Sequence, residues 1–360
     1  MRKLYLIILL LQFGFVILFA EHNNRLGVHL LYCDPGDNLG RVEQVISKAK
    51  GIKAGWVRVG FIWAIANPYE GKYDFEFYDW FFKRLKEEGL SILVSFAFTP
   101  RWCSSFEDSE EYYLYPPTAD EITEGRNGYF YLYEIAKKIS ERYKNIVNYW
   151  EFWNEPDMEY FLKDSNGNGT SADEYSKMLA FFYKGIKDGN GRAKVLIGGL
   201  AQGFYEHSCD NDYLMKLYTD KKYPALKYYD IHNIHTNFKS LKDIKRQIEL
   251  NKNIMRKFNS LKEIWITETS YSPVARFQNL ENYKGGENGF NQYVFDSLVF
   301  ELLNIKGVVF WTPLNDYNYD YPEDNPYKYN GLFSFNLKGK EASRIFKIIS
   351  LFFKRKLSFF

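Results

Sequence analysis

The sequence predicts a single (β/α)8 barrel of the α/β class, and three observations lead to that fold class. Short apolar runs alternate with longer runs of helical periodicity from one end of the chain to the other. Most of the short runs are apolar throughout, which is typical of parallel strands buried on both faces. Eight strands that alternate with helical segments fit into 360 residues, a length suited to one barrel domain.

The eight predicted strands recur at regular intervals. They lie at residues 26–31, 56–61, 91–96, 147–153, 194–199, 229–235, 263–267 and 307–311. Helical patterns occupy residues 77–85, 129–143, 241–258, 291–303 and 341–353, and a capping box of Ser171 and Glu174 begins another helix. A doubly wound open sheet is the structural alternative, but the sequence shows no glycine-rich turn after its first strand.

The composition restricts the function classes. Hydrophobic residues make up 46% of the chain, enough for a sizeable core, and the 19% of aromatic residues suits stacking of flat ligands with polar edges. The charge balance of 47 Lys and Arg against 45 Asp and Glu gives +2, so no basic surface for a nucleic acid is predicted.

Residues 1–20 are predicted to be a secretory signal peptide. A positively charged start precedes an apolar run over residues 4–19, and Ala20 offers a small residue for cleavage. Residues 21–360 would then form one domain that is secreted or otherwise outside the cytoplasm. An uncleaved membrane anchor is the alternative, and only in that case is a membrane contact expected.

The cysteines and histidines predict neither a disulfide framework nor a metal site. Cys33, Cys103 and Cys209 allow one bridge with a free thiol, or three free thiols. His232 and His235 are three residues apart, so on a strand they face opposite sides of the sheet.

Two glutamates stand where predicted strands end, and in a (β/α)8 barrel such positions carry the function. The fourth strand ends at Glu155, because Pro156 cannot continue a central strand, and the seventh ends at Glu268. Alternation along the fourth strand would place Glu151, Trp153 and Glu155 on one face. The two strands lie across the barrel mouth from each other, so Glu155 and Glu268 should converge.

Two facing carboxylates are the minimum equipment for hydrolysis of a glycosidic bond. One donates a proton to the leaving oxygen, and the other stabilises or attacks the anomeric carbon. One must therefore stay protonated while its partner stays charged. The alternative is that each glutamate only forms an ion pair with a nearby Arg or Lys.

The strand-end motifs resemble those of the clan A glycoside hydrolases. The string Trp153-Asn154-Glu155-Pro156, followed later by Ile266-Thr267-Glu268-Thr269, has the order and spacing of that clan. Further similar segments are residues 56–75, Thr99-Pro100-Arg101-Trp102, Trp311 and residues 331–342. The resemblance covers nearly the whole of residues 21–360, and glycoside hydrolase family 39 is the nearest family that it indicates.

The resemblance implies roles for individual residues. Glu155 would be the acid/base and Glu268 the nucleophile of a retaining double displacement. Asn154 would bind the sugar 2-hydroxyl, and Arg58 would hold the nucleophile and keep its pKa low. The alternative for Arg58 is a structural ion pair with Glu151 inside the barrel.

Further substrate contacts are expected at other strand ends. Trp311 would form the floor of the −1 subsite, or else fill the core, and Trp63 and Trp102 could line a sugar cleft. His235 fits the histidine expected after the sixth strand. The tyrosine expected two residues later is replaced by Asn237, and Tyr271 is a candidate substitute for it.

The prediction is thus a retaining β-glycosidase that hydrolyses O-glycosidic bonds of an oligo- or polysaccharide without a cofactor or metal. A transglycosylase would use the same residues. An inactive carbohydrate-binding barrel would have no need to keep Asn154, Glu155 and Glu268 together. A metal-dependent barrel hydrolase would need a second histidine on the outlet face of the strands, and this sequence has none at a suitable position.

Overall fold

Eight parallel strands form the wall of a barrel in the computed structural model, which describes residues 24–31, 33–167, 169–202, 212–273, 286–317, 321–322 and 325–354. The predicted signal peptide and Cys209 lie outside these residues. The strands are β1 Leu26–His29, β2 Trp56–Ile62, β3 Ser91–Ala97, β4 Tyr149–Asn154, β5 Lys194–Gly199, β6 His232–His235, β7 Ile264–Thr269 and β8 Val309–Trp311. All eight overlap the predicted strands.

The strands hydrogen-bond in the order β5-β4-β3-β2-β1-β8-β7-β6, and each neighbouring pair is parallel. Parallel bridges from Leu196 to Ile231 and from Leu200 to Ile234 bring β5 against β6, so the sheet closes on itself. The predicted (β/α)8 barrel is therefore confirmed, and the carboxyl ends of all eight strands meet at one mouth.

Helices connect successive strands and cover the barrel. They are α1 Leu39–Gly51, α2 Trp63–Ala66, α3 Glu76–Glu87, α4 Gly128–Arg142, α5 Ala172–Gly189, α6 Tyr213–Thr219, α7 Leu241–Lys257, α8 Glu287–Asn304 and α9 Glu341–Lys354. Side chains of Asn38, Ser171 and Ser240 accept hydrogen bonds from first-turn backbone N–H groups of α1, α5 and α7. No helix in the described ranges is long and apolar enough to cross a membrane.

The inside of the barrel is layered. Its amino-terminal half is filled by one apolar cluster, which consists of Leu93, Leu196, Ile231, Trp265, Val308 and Phe310, with Trp56 and Tyr149 packed against it. Two residues further along four of these strands, the inward positions are the polar Arg58, Glu151, Asn233 and Thr267, all buried. An apolar layer thus lies beneath a layer of buried polar and charged residues just below the mouth.

One carboxyl group is buried on the helix side of the sheet. Glu301 of α8 is fully buried, and its Oε1 accepts a hydrogen bond of 2.7 Å from the Thr236 hydroxyl next to the end of β6. Burial raises the pKa of Glu301 from its ordinary 4.5 to about 8. Glu301 is therefore neutral at neutral pH, unlike its counterpart in the unfolded chain.

We expect Glu301→Gln to flatten the pH dependence of stability. The folded state keeps a proton on Glu301 that the unfolded state releases above pH 4.5, so this residue lowers the unfolding free energy as pH rises from there to about 8. Glutamine keeps the acceptor for Thr236 and does not titrate. Urea unfolding across this pH range should show that the unfolding free energy of the variant increases relative to that of the wild type as the pH rises. Glu341→Gln, at an exposed residue of α9, is the control, and parallel curves for Glu301→Gln and wild type would contradict the expectation.

Candidate active site

A pocket of about 500 Å³ opens at the carboxyl ends of the strands. Its volume lies within the range of roughly 300–1,000 Å³ that is usual for small-molecule sites. The polar lining comes from the barrel strands and the residues that directly follow them: His29, Arg58, Ser95, Asn154, Glu155, Asn237 and Glu268. Aromatic and apolar side chains of the following loops make up most of the remaining wall.

Glu155 reaches the pocket because β4 departs from regular strand geometry at its end. Trp153 has φ +69° and Glu155 has φ +39°, both in the left-handed region that non-glycine residues seldom adopt. Strict alternation would place Asn154 opposite Glu151, yet both side chains accept hydrogen bonds from Arg58. The predicted shared face of Glu151, Trp153 and Glu155 is thus wrong for Trp153, whose buried indole donates to the Phe161 carbonyl.

Glu268 reaches the pocket through an irregularity in β7. The register of β7 shifts against β8 between Ile266 and Thr269, and against β6 between Ile266 and Glu268. One extra residue on β7 is the pattern of a β-bulge, a device that redirects side chains near active sites. As a result, Thr267 bonds the interior residue Glu151 while Glu268, the next residue, lines the pocket.

Arg58 connects β4 and β7 from inside the barrel. Its Nε donates to Glu151 Oε2 (2.5 Å), its Nη1 to Glu268 Oε1 (2.7 Å) and its Nη2 to Asn154 Oδ1 (2.8 Å). Both roles considered from the sequence, a bond to Glu268 and an internal ion pair with Glu151, are therefore present. His29 Nδ1 lies 3.2 Å from Nη1 of Arg58, and burial together with that cation lowers the pKa of His29 to about 3.

Glu151 is the buried counter-charge of Arg58. Asn233 Nδ2 (2.6 Å) and the Thr267 hydroxyl (2.9 Å) also donate to its Oε1. Burial alone would raise the pKa of Glu151, but Arg58, followed by His235, outweighs it and lowers this pKa to about 2. Glu151 is therefore ionised throughout the physiological pH range.

His235 lies between the two pocket carboxylates. Its Nδ1 is 2.8 Å from Glu155 Oε1 and 3.7 Å from Glu268 Oε2, and its Nε2 is 3.0 Å from the Thr267 hydroxyl. Burial alone would lower the pKa of His235, but the surrounding carboxylates, with Glu268 first, raise it to about 9. At neutral pH His235 is an imidazolium that donates to Glu155.

Asn237 provides the contact for which a tyrosine was expected. Its Nδ2 donates to Glu268 Oε2 (2.9 Å), and its Oδ1 accepts from the Ser270 hydroxyl (2.7 Å). Because Ser270 engages the amide oxygen, the amide nitrogen is directed towards Glu268. Tyr271, the candidate substitute, is instead buried in a stack with Tyr293 of α8 and lies outside the pocket lining.

The two pocket glutamates have opposite electrostatic environments. Burial raises the pKa of Glu155 above its usual value, although the bond from His235 opposes the rise. Burial acts in the same direction on Glu268, but His235 and then Arg58 outweigh it and hold its pKa below the usual value. One carboxyl therefore favours the protonated form and the other the ionised form, as acid/base and nucleophile require.

Glu155, His235 and Glu268 are also the described residues that come closest to a metal-binding set. Each has one donor atom within 4.8 Å of the donors of the other two. A metal would have to displace a proton from His235, whose pKa is raised to about 9, and would lie close to the Arg58 cation that already contacts Glu268. The donor set therefore fits acid–base chemistry better than a metal ion.

The structure does not place the three predicted tryptophans in the pocket. Trp63 is fully buried in α2, where its indole bonds Asn67. Trp102 packs edge-on against Tyr131, and its indole donates to the Asn67 carbonyl. Trp311 follows the inward-facing Phe310, so it lies on the outer face of β8.

In that position the ring of Trp311 packs against Phe290 of α8, and its indole donates to the Asn330 carbonyl. The alternative of core filling, considered from the sequence, therefore describes Trp311. It is not the floor of this pocket.

Several residues in or beneath the pocket were not identified from the sequence. Alternation on the sixth and seventh strands could have found Asn233 and Thr267, which lie two residues before His235 and two after the inward Trp265. His29, at the end of β1, could have been found by the same strand-end rule. Ser270 has no comparable signal, because its role depends on the bulge in β7.

Comparison with known proteins relates the chain to glycosidases. A β-galactosidase family model, Glyco_hydro_42, matches residues 37–192, which is less than half of the chain. No sequence among the curated proteins matches it significantly. The combination of this family match and the barrel supports the predicted enzyme class, a glycoside hydrolase.

Solved structures with the same fold include several glycoside hydrolases. A family 39 enzyme from Bacteroides cellulosilyticus WH2 superposes with a TM-score of 0.64 at 16% identity over 93% of this chain, which spans 64% of that protein. A fungal β-1,4-galactanase gives 0.64 at 14% identity, covering 90% of this chain and 98% of that one. GH5_18 from Streptomyces cattleya, solved with GlcNAc, gives 0.68 at 11% identity, covering 94% and 82%.

These comparisons confirm the predicted resemblance at the level of clan A. They do not single out family 39 or another family within it. Identities of this size establish the fold alone.

We expect Gly199→Ala to disable the site by displacing His235. A Cβ on Gly199 would lie 2.0 Å from Nε2 and 2.2 Å from Cδ2 of the His235 ring, so the ring would have to move. The specificity constant kcat/KM should fall by at least about tenfold, an effect of the size usual for misplaced acid–base groups. The acidic and alkaline falls in activity should both shift to higher pH, because Glu155 and Glu268 lose a neighbour that favours their ionised forms.

Gly191→Ala is the matched control, since its added methyl group would meet only the Lys187 carbonyl, at 3.7 Å. Circular dichroism would establish that both variants fold. Wild-type kcat/KM in a folded Gly199→Ala variant would show that the position of His235 is immaterial to turnover.

Proposed function

We propose that the chain is a retaining β-glycosidase in which Glu155 is the acid/base and Glu268 the nucleophile. The observation that carries this proposal is the pair of carboxylates with opposite pKa shifts, close enough for donor atoms of both to lie within 4.8 Å. Retaining enzymes hold their carboxyl groups about 5–5.5 Å apart, whereas inverting enzymes need about 6.5–9.5 Å to admit a water molecule.

In the first step, an oxygen of Glu268 attacks the anomeric carbon while Glu155 donates its proton to the glycosidic oxygen. The bond between the anomeric carbon and that oxygen breaks, the leaving group departs as an alcohol, and an ester joins Glu268 to the sugar. Glu155, now ionised, takes a proton from water in the second step. The resulting hydroxide equivalent attacks the anomeric carbon, which frees the sugar and restores Glu268.

The neighbouring residues support each role. Arg58 and Asn237 donate to different oxygens of Glu268, so both carboxylate oxygens are held in place for attack. His235 donates to Oε1 of Glu155, which leaves Oε2 to carry the acidic proton. The side chains of Glu155 and Glu268 are 14% and 12% exposed, so a substrate can reach both.

The proteins that share the fold guide the choice of substrates. A β-1,4-galactanase and an exo-β-1,4-mannosidase are among the proteins that share the fold. We therefore include β-1,4-linked carbohydrates among the first substrates to test. Hydrolysis and sugar transfer use the same residues and differ only in the acceptor, so added acceptor sugars should be included in the same assays.

We also propose that the enzyme acts outside the cytoplasm, on the strength of the sequence pattern of residues 1–20. Mass spectrometry of the protein recovered from its native host should give an amino terminus at Glu21. Recovery of intact residues 1–20 in a membrane fraction would favour the uncleaved anchor instead.

The nucleophile can be tested by trapping. Incubation with activated 2-deoxy-2-fluoro-β-glycosides should add one glycosyl mass to the intact protein, because the fluorine slows breakdown of the ester while the activated leaving group still allows it to form. Peptide mapping should locate the added mass on Glu268. The isosteric Glu268→Gln variant should fold and remain unlabelled. Labelling of another carboxylate, or equal labelling of the variant, would refute the assignment.

The acid can be tested through the leaving group. Glu155→Gln should lower kcat/KM by roughly 10²–10⁴-fold for glycosides with poor leaving groups and much less for activated aryl glycosides, which need no proton. In Glu155→Ala, which leaves room for the anion, azide should restore turnover of the aryl substrates and give a β-glycosyl azide. Equal losses on both kinds of substrate would exclude an acid role.

The pH profile of the wild type should be bell-shaped. At acid pH, activity should fall as Glu268 becomes protonated, with a pKa below the usual glutamate value. At alkaline pH, activity should fall as Glu155 loses its proton, with a pKa above that value. The alkaline limb should disappear in Glu155→Gln with aryl substrates. Its persistence there would assign that limb to another group.

A further inference from the structure

An exposed aromatic ring stands beside the proposed acid. Tyr160 lines the pocket only five residues after Glu155, yet 68% of its surface is exposed. Met158 and Phe161 of the same segment also line the pocket. A tyrosine ring at a pocket mouth offers a ligand an apolar face together with a polar hydroxyl that can stay in water.

The backbone on both sides of Tyr160 is held in place. The Met158 N–H donates to the Glu155 carbonyl (2.9 Å), and the Leu162 N–H donates to the Met158 carbonyl (3.1 Å). The buried indole of Trp153 donates to the Phe161 carbonyl at 2.6 Å. The exposure of Tyr160 is therefore not the consequence of a loosely attached loop.

The position of Tyr160 relative to the chemistry indicates what it would contact. Glu155 must approach the glycosidic oxygen, so the departing group lies on the side of the pocket that carries Glu155. Tyr160 belongs to that same segment. The loop after β8 forms another wall, in which Tyr317 packs edge-on against Tyr321 and Tyr327.

We propose that Tyr160 is the stacking platform of a leaving-group subsite and that the departing group is itself a sugar ring. This inference rests on the proposed function and narrows its substrate class to β-linked oligo- and polysaccharides, as opposed to glycosides of small alcohols. A pyranose ring has an apolar face of C–H groups, which suits an aromatic ring whose polar hydroxyl remains in water.

The subsite should affect only one of the two chemical steps. Tyr160 would bind the leaving sugar while the bond to Glu268 forms, but water replaces that sugar in the second step. A glycosyl fluoride forms the same ester on Glu268 with a leaving group too small to stack. Comparison of an oligosaccharide with the fluoride of the same sugar therefore isolates the contribution of Tyr160.

The experiment measures kcat/KM of Tyr160→Ala on three matched pairs: β-1,4-galactobiose and β-galactosyl fluoride, cellobiose and β-glucosyl fluoride, β-1,4-mannobiose and β-mannosyl fluoride. For the pair that the wild type accepts, the ratio of kcat/KM on the disaccharide to kcat/KM on the fluoride should fall about 5- to 50-fold in Tyr160→Ala. Tyr160→Phe should retain most of the wild-type ratio. Tyr69→Ala is the matched control, because Tyr69 is equally exposed (66%) but does not line the pocket.

An unchanged ratio in Tyr160→Ala, or an equal fall in Tyr69→Ala, would overturn the proposal. If the wild type hydrolyses none of the fluorides and no 2-deoxy-2-fluoro-β-glycoside labels Glu268, the proposed function fails, and the subsite is then tested by binding. Calorimetry with the same disaccharides in a Glu268→Gln background should show weaker affinity when Tyr160 is replaced by alanine. Equal affinities with and without the Tyr160→Ala change would refute the platform independently of turnover.

Discussion

The site depends on the burial of the Arg58 cation inside the barrel. A guanidinium removed from water must be compensated, and Arg58 is compensated by Glu151 within the barrel and by Glu268 at the mouth. Because the same side chain also bonds Asn154, one buried cation fixes residues from β4 and β7 with respect to each other. The apolar base of the barrel excludes water from below, which strengthens each of these interactions.

The charges around Arg58 balance only when Glu155 keeps its proton. Arg58 and the His235 imidazolium offset Glu151 and Glu268, so ionised Glu155 would add an uncompensated negative charge to a buried cluster. In the proposed ester intermediate Glu268 is neutral, and the balance then requires Glu155 to be ionised. The change of Glu155 from acid to base thus accompanies the loss of the negative charge on Glu268, because that charge helps to raise the pKa of Glu155.

The barrel and its strands were predictable, because continuous apolar runs separated by helical periodicity leave few other arrangements. The two pocket glutamates, proposed as acid/base and nucleophile, were predictable from strand ends and local motif. Side-chain direction was not, because it depends on the left-handed backbone at Trp153 and on the bulge in β7, neither of which changes the residue pattern. Likewise, the aromatic character of Trp63 and Trp311 did not reveal that Trp63 is buried within α2 or that Trp311 packs against α8.

In the proposed mechanism, the presence of Asn237 in place of the expected tyrosine bears on which oxygen of Glu268 would attack the sugar. Arg58 donates to Oε1 with a full charge, whereas Asn237 donates to Oε2 with a neutral amide. The attacking oxygen becomes an ester oxygen, a poor acceptor, and so loses most of its hydrogen bond. Loss of the bond to the neutral donor costs less than loss of a charge-assisted bond. Oε2, which also lies on the side of His235 and Glu155, is therefore the better nucleophile, and Arg58 remains on the carbonyl oxygen throughout.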